Sequence, residues 1–369
     1  MVDLFSQYQK IKPQINSAIQ DVLDTTDFIK GKQVVEFENN LTKFTGSKYA
    51  ITCANGTDAL QIALMALDLE IGDEVIVPGF TYAATAEVIA LLRLIPVMVD
   101  VDPKTFNISI SELKRAITKK TKAIVPVHLF GQCSDMEPIM KIAQEHKLWI
   151  IEDNAQSFGA EYMFSDGTTK QTGTIGHIGS TSFFPTKNLG CFGDGGALFT
   201  NDDILAEKIR MIANHGQKIK YHHSIIGCNS RLDTIQAAVL NVKLEHLNEH
   251  LNARKKAADF YDNALANWQF GQIPQQINNI NHTYNQYTLI IKNGRRDELK
   301  SFLAGKGIPS MIYYPIPLYK QDAFNKYVPQ GFELPNTEQL CRSVLSVPIH
   351  TEMNEDILLK ITDTLKSFK

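Results

Sequence analysis

The sequence predicts an α/β fold: a large unit over residues 1–250 built around a mostly parallel sheet, then a smaller C-terminal α+β unit over residues 251–369. Three observations predict it. Between residues 50 and 200, short runs rich in Val and Ile alternate with helix-length segments. Runs that are apolar on both faces suit strands covered by helices on each side. From Ile235 the pattern turns long and helical, with apolar residues near i, i+3, i+4 and i+7. Finally, a chain of 369 residues exceeds the roughly 150 that one domain usually organises.

In chain order, strands are expected at 74–77, 97–101, 123–127, 149–152, 180–184 and 197–200. In an open sheet of this kind, ligands bind beyond the C-terminal ends of the strands. The helical pattern over 235–265 contains no strong breaker and reads as one connecting helix, with the boundary between units near residue 250. The segment 272–282 is rich in Asn, Gln and Ile and reads as a loop leading to a strand at 286–291. A helix near 298–305, a strand near 310–314 and an amphipathic helix from Asn354 complete the small unit.

Lys and Arg total 37 against 40 Asp and Glu, a formal net charge of −3. No global field draws such a chain to nucleic acid or to an anionic membrane, so any anion site must be local. The most apolar window, 88–101, is interrupted by Arg93 and Pro96 and falls short of the ~20 apolar residues that span a bilayer. No basic stretch followed by an apolar one opens the chain, and a cytoplasmic protein is expected. The five cysteines are scattered without a C-x-x-C pair, which suggests neither a disulfide framework nor a metal site.

Three segments carry chemistry. Asn55-Gly56-Thr57-Asp58-Ala59-Leu60 places Gly and Thr at the start of an expected helix, where open backbone N–H groups and the helix dipole favour a phosphate. Glu152-Asp153-Asn154-Ala155-Gln156 follows an apolar run, so Asp153 and Gln156 sit just past a buried strand. A carboxylate there suits a protonated ring nitrogen. The segment Thr181 to Gly190 sets Lys187 between an apolar strand and a glycine-rich loop that continues through Gly193-Asp194-Gly195-Gly196. A lysine desolvated in such a place has a lowered pKa and can form a Schiff base with an aldehyde. Phosphate site, strand-end Asp and lysine together suit pyridoxal 5′-phosphate, whose ring the Asp keeps protonated as an electron sink.

With these motifs stand Pro78-Gly79-Phe80-Thr81-Tyr82, His215-Gly216, Asn229-Ser230-Arg231-Leu232-Asp233 and Tyr314-Pro315-Ile316-Pro317-Leu318. As an ordered set over nearly the whole length, they resemble the DegT/DnrJ/StrS family of nucleotide-sugar aminotransferases. The resemblance implies an aspartate-aminotransferase-like fold, pyridoxal phosphate fold type I, with a three-layer large domain. It implies Lys187 as the Schiff-base lysine, Asp153 as the partner of the pyridine nitrogen and Gln156 at the ring hydroxyl. Tyr82 would stack on the ring. Gly56, Thr57 and Ser182 would hold the phosphate with Asn229 of a second subunit, so a homodimer with shared active sites is implied. Two departures stand out: Asn154 where many members have Ala, and Ser157-Phe158 where many have Ala-His.

Between His215 and Arg231 lie Lys218, Lys220, His222 and His223, a local basic cluster on a near-neutral chain. Such a cluster suits an anionic substrate, and Arg231 is the best single candidate to fork onto a carboxylate. Within the family the wording is most similar to the UDP-2-acetamido-2-deoxy-ribo-hexuluronate 3-aminotransferases of bacterial surface polysaccharide (O-antigen) synthesis, with L-glutamate as donor. A dTDP-linked 3-keto-6-deoxyhexose is the alternative acceptor. A lyase or decarboxylase would need an α-carboxylate-binding Arg among Arg295, Arg296 and Arg342. A non-catalytic pyridoxal-phosphate-binding regulator is the reading from another class. His215 and Tyr314 are candidates for touching substrate; an aromatic before Pro or a lone histidine is equally readily structural.

Overall fold

The computed structural model describes residues 1–277 and 279–369. Its central sheet has seven strands in the order Tyr49–Cys53, Gly196–Thr200, Ile178–Ser182, Trp149–Asp153, Thr121–Ile124, Glu74–Pro78, Ile95–Val99. The last five pair in parallel. Gly196–Thr200 runs antiparallel to both its neighbours, so Tyr49–Cys53 points the same way as the parallel set. Every strand expected in this region is present within a few residues, and Tyr49–Cys53 is added. Its five residues mix Tyr, Ala and Cys with two branched side chains, and so short a run is ambiguous until a partner strand lies beside it.

Helices cover both faces because both faces are apolar. On one side Gly56–Ala66, Ala84–Leu91 and Asp203–Ile212 bury Leu60, Ala63, Val88 and Ile209 against Val75, Val77 and Ile151. On the other, Met136–His146 packs Met136 and Ile139 on Ile76 and Ile124, and Lys32–Thr45 with Thr234–Glu245 packs Phe37, Leu41 and Leu240 on Ala50 and Phe199. At the open edge of Tyr49–Cys53, Glu38 accepts the Thr52 N–H and hydroxyl at 2.9 Å each, and Arg210 donates to the Ala50 carbonyl. Side chains thereby occupy backbone groups that would otherwise invite another strand.

The expected connecting helix is in fact two, Thr234–Glu245 and Leu247–Leu265, divided at His246, with φ −94° and ψ −1°. No Gly or Pro marks the break. The first helix packs against the N-terminal helices Leu4–Thr25 and Lys32–Thr45 and the second against Glu355–Ser367, so tertiary partners set the division. The expected strand at 310–314 is irregular apart from a bridge between Met311 and Ser346. Pro309 and Pro315 limit a ladder there, and Val344–Val347 pairs with Tyr287–Ile291 instead. Of the expected loop 272–282, residue 278 lies outside the described residues. Ile280–Asn281 pairs with Glu161–Met163, in a separate three-stranded sheet completed by Thr169–Gln171.

A second core joins Tyr261, Leu289, Leu303, Leu345 and Leu365. Asp100, buried at the main sheet's rim, reaches into this part of the chain. Its carboxylate accepts Asn336 N–H at 2.9 Å and Thr337 N–H and hydroxyl at 2.8 Å each. It therefore caps the helix Pro335–Ser343 from a distant strand.

Candidate functional site

The C-terminal rim of the parallel strands gathers most of the expected site residues. Cys53, Gly196 and Ser182 stand in one row across three strands. The turn after Cys53 therefore delivers the helix Gly56–Ala66 onto Ser182. A Cβ on Gly56 would lie 2.6 Å from Ser182 Cβ, so only glycine allows this approach. Asn55 caps the helix, its side chain accepting the Asp58 N–H at 2.8 Å while its carbonyl accepts that of Ala59. The N–H groups of Gly56 and Thr57 have no acceptor among the described residues, and the Ser182 hydroxyl, which accepts from Phe184 N–H at 3.3 Å, keeps its own proton to donate.

Asp153 ends its strand at the same rim and is 6% exposed. One oxygen accepts from the Thr85 hydroxyl at 2.8 Å and the other from Ala155 N–H. Thr85, in the first turn of Ala84–Leu91, was not singled out from sequence; a threonine in Tyr82-Ala83-Ala84-Thr85 carries no signal until the helix is placed over the strand end. Below Asp153, Glu152 is fully buried and accepts from Gly173, Ile175 and Gly176 N–H and from His128 Nε2, which lies at 2.8 Å. His128 Nδ1 accepts Ser134 N–H, which leaves the proton on Nε2. Every lone pair of this carboxylate is thus engaged, which fixes the strand that carries Asp153.

The two departures noted in sequence meet one another. Asn154 accepts the hydroxyls of Ser157 and Thr172 and donates to the Thr172 carbonyl. A buried polar clamp thereby forms behind the rim. Gln156 faces forward, accepting Phe130 N–H at 2.8 Å and donating to the Tyr314 hydroxyl at 3.0 Å. Tyr314 meets Tyr82 at 6.2 Å between ring centroids and Phe80 at 6.1 Å. Tyr82 is 59% exposed.

Lys187 lies in a loop closed at its base by Cys191 N–H donating to the Phe183 carbonyl at 2.8 Å. Gly190 is required there, since a Cβ would come within 2.4 Å of the Pro185 carbonyl oxygen. A buried lysine, Lys243, donates to the Gly190 carbonyl at 2.7 Å. The Lys187 amine has no hydrogen bond or ion pair among the described residues. Desolvation holds its pKa down to about 8, opposed by the nearby Asp153 carboxylate.

His215, Asn229 and Arg231 form a separate group. His215 takes a left-handed φ of 58° and its carbonyl accepts from His223 at 2.8 Å. Asn229 bridges to Asn214. Arg231 lines a cleft with Lys30, Glu38 and Arg210. No hydrogen bond among the described residues joins these three to Lys187, Asp153 or Gln156. Ser230, which accepts Ala54 N–H at 3.0 Å, ties their segment to the start of the Gly56 helix. Of the basic cluster, Lys218 pairs with Glu207. No group of His, Cys, Asp and Glu suited to a metal occurs among the described residues, and no helix is long and apolar enough to cross a membrane.

An amine free to react, a carboxylate set to face a cation and open N–H groups set to face an anion share one rim. That arrangement belongs to enzymes that hold a phosphorylated aldehyde on lysine. The model of the DegT/DnrJ/EryC1/StrS aminotransferase family matches residues 9–366, and the chain belongs to this family. It is a pyridoxal-phosphate-dependent aminotransferase of fold type I. It is 48% identical over 349 residues to the UDP-2-acetamido-2-deoxy-3-oxo-D-glucuronate aminotransferase of Pseudomonas aeruginosa, covering 95% of this chain and 94% of that one. It is 43% identical over 370 residues to a protein of Geobacillus stearothermophilus named a pleiotropic regulatory protein, covering 100% and 98%. The structure of S. venezuelae DesV with a ketimine intermediate superposes with a TM-score of 0.95 at 36% identity, covering 99% of this chain and 96% of that one.

Proposed function

We propose that this enzyme moves an amino group from L-glutamate to C3 of a UDP-linked 3-keto-2-acetamido-hexuronate. The product is UDP-2-acetamido-3-amino-2,3-dideoxyglucuronate, made in the cytoplasm for bacterial surface polysaccharide such as the O-antigen of lipopolysaccharide. One observation carries the reading: an unpartnered Lys187 amine beside Asp153 on the sheet rim, in a chain 48% identical to an aminotransferase named for the oxo-glucuronate.

The residues fit pyridoxal phosphate. Gly56 brings its own N–H and that of Thr57 against Ser182, a phosphate-sized set of donors. Asp153, held by Thr85, would face the ring nitrogen, and Gln156 would share its amide between Tyr314 and the ring hydroxyl. Tyr82 would cover the ring face, and Asn229 of a second copy would complete the phosphate site in a homodimer with shared active sites. When bound, the cofactor supplies an electron sink. Lys187 then tethers it and, once released, carries the proton between cofactor and substrate carbon. Arg231 would take the sugar carboxylate, with His215 and Tyr314 beside the sugar. We read residues 1–250 and 251–369 as the large and small units.

The three candidate arginines of the small unit weigh against an amino-acid lyase. Arg295 is held by Glu298, Arg296 by Asp297 and the Cys341 carbonyl, and Arg342 by Glu338. The test is the half-reaction: L-glutamate added to the yellow holoenzyme should bleach the band at the tethered cofactor, and Lys187→Ala should not do so catalytically. Turnover of the UDP-uronate against a dTDP-linked 3-keto-6-deoxyhexose then separates the two acceptors. Colour that glutamate leaves unchanged would defeat the donor assignment and favour the regulator.

A further inference from the structure

The cleft that contains Arg231 also holds Lys30, far away in sequence. Lys30 precedes the helix Lys32–Thr45 and has a left-handed φ of 56°. Its turn is fastened to the chain just past Arg231: Thr234 N–H donates to the Phe28 carbonyl at 3.0 Å, Gly31 N–H to the Thr234 hydroxyl at 3.1 Å, and Ile29 bridges Asp233. Gly31 leaves no slack, since a Cβ there would lie 2.7 Å from both the Asp27 carbonyl and the Thr234 methyl. The placement of Lys30 beside Arg231 is therefore built into the fold.

Charge in this cleft of roughly 690 Å³ does not balance. Its cations are Lys30, Arg210, Lys218 and Arg231 and its acids Glu38, Asp203 and Glu207; Asp203 pairs with Lys48, Glu207 with Lys218 and Glu38 with Arg210, so each acid is already engaged. Glu38 pairs with Arg210 at 3.0 Å and accepts both polar hydrogens of Thr52. Neither Lys30 nor Arg231 has an ion pair or side-chain hydrogen bond among the described residues. Burial, then the positive charge of Arg231, hold the Lys30 ammonium below the ordinary lysine range, with Glu38 opposing. Arg231 is partly buried and Lys30 is exposed; side by side without a counter-ion the two cations repel each other, and an anion bound between them relieves that repulsion.

We propose that Lys30 is a specificity-determining residue that binds the sugar carboxylate jointly with Arg231, so that two cations rather than one select the uronate. This rests on the uronate reading above. Arg231 supplies a planar fork that can engage both carboxylate oxygens, and Lys30 a point charge that can take a remaining lone pair on one of them. A neutral hydroxymethyl group in the same place would leave both cations uncompensated, and selectivity arises from that penalty.

The test compares wild type, Lys30→Met and Lys30→Arg on two UDP-linked 3-keto-2-acetamido sugars that differ only in carrying a carboxylate or a hydroxymethyl at C6. For Lys30→Met, kcat/KM on the uronate should fall by about 10- to 100-fold, chiefly through KM, with little change on the hydroxymethyl sugar; Lys30→Arg should restore most of it. Calorimetric binding of UDP-N-acetylglucosaminuronate and UDP-N-acetylglucosamine to the holoenzyme should show the same convergence in Lys30→Met. An equal loss on both sugars would assign Lys30 to the diphosphate and overturn the proposal, as would unchanged discrimination. A wild-type enzyme that does not prefer the uronate would overturn the substrate reading beneath it, a result distinct from preference that persists in Lys30→Met.

Discussion

Lys187 should react with aldehydes as an amine of pKa about 8, even before cofactor is present. An ordinary lysine near 10.4 is neutral to about one part in a thousand at pH 7.5, whereas an amine at about 8 is neutral to about a quarter, a gain of roughly 200-fold in reactive species. The cause is desolvation in the loop between Phe183 and Cys191, with Asp153 acting in the opposite direction. The assay treats apoenzyme with a non-ionising aromatic aldehyde across pH 6–11, traps the adduct with borohydride and locates it by peptide mass. Modification should concentrate on Lys187 with a midpoint near pH 8, and Asp153→Asn should move that midpoint lower by removing the charge that favours the ammonium. The linkage has a definite sign. A folded pKa below the unfolded one means that the unfolded chain binds more protons between about 8 and 10.5, so Lys187 makes apoenzyme stability rise with pH across that window. Lys243, also held down to about 8 by burial, acts the same way. A midpoint near 10.5, or adducts spread over surface lysines, would refute the reasoning.

Gly56→Ala should weaken pyridoxal phosphate far more than pyridoxal, because the new methyl drives the helix start off Ser182; equal losses for the two, by equilibrium titration, would remove the phosphate from this helix. Asp100→Ala leaves two N–H groups and a hydroxyl of the helix Pro335–Ser343 unpaired, and should cost about 2–4 kcal/mol, read as a lower thermal midpoint with the cofactor band intact. Mixing inactive Lys187→Ala with inactive Asn229→Ala and allowing subunits to exchange should restore about a quarter of wild-type activity if sites are shared, since half the dimers are mixed and each rebuilds one site. No recovery despite proven exchange would place Asn229 in its own chain's site.

The sequence by itself determined the chemistry's main parts and the fold class. Strand runs apolar on both faces require helices on both sides, and a residue just past such a run, as Asp153 is, necessarily reaches the sheet's rim; Ser182, inside the run expected at 180–184, reached the site only through the resemblance. Lys187 was legible because a lysine between a buried strand and a glycine-rich loop has few other uses. The seventh strand, the break at His246 and the pairing of Val344–Val347 in place of 310–314 were not legible. Each depends on which distant segment supplies hydrogen bonds or packing, and local propensity does not encode that. The same limit hid Thr85 behind Asp153, Lys243 behind Gly190 and Lys30 beside Arg231. Sequence states which side chains exist and how the nearest few are disposed. Only closure of the chain decides which charges share a cleft, and those neighbours set a lysine's pKa and the anion it can hold.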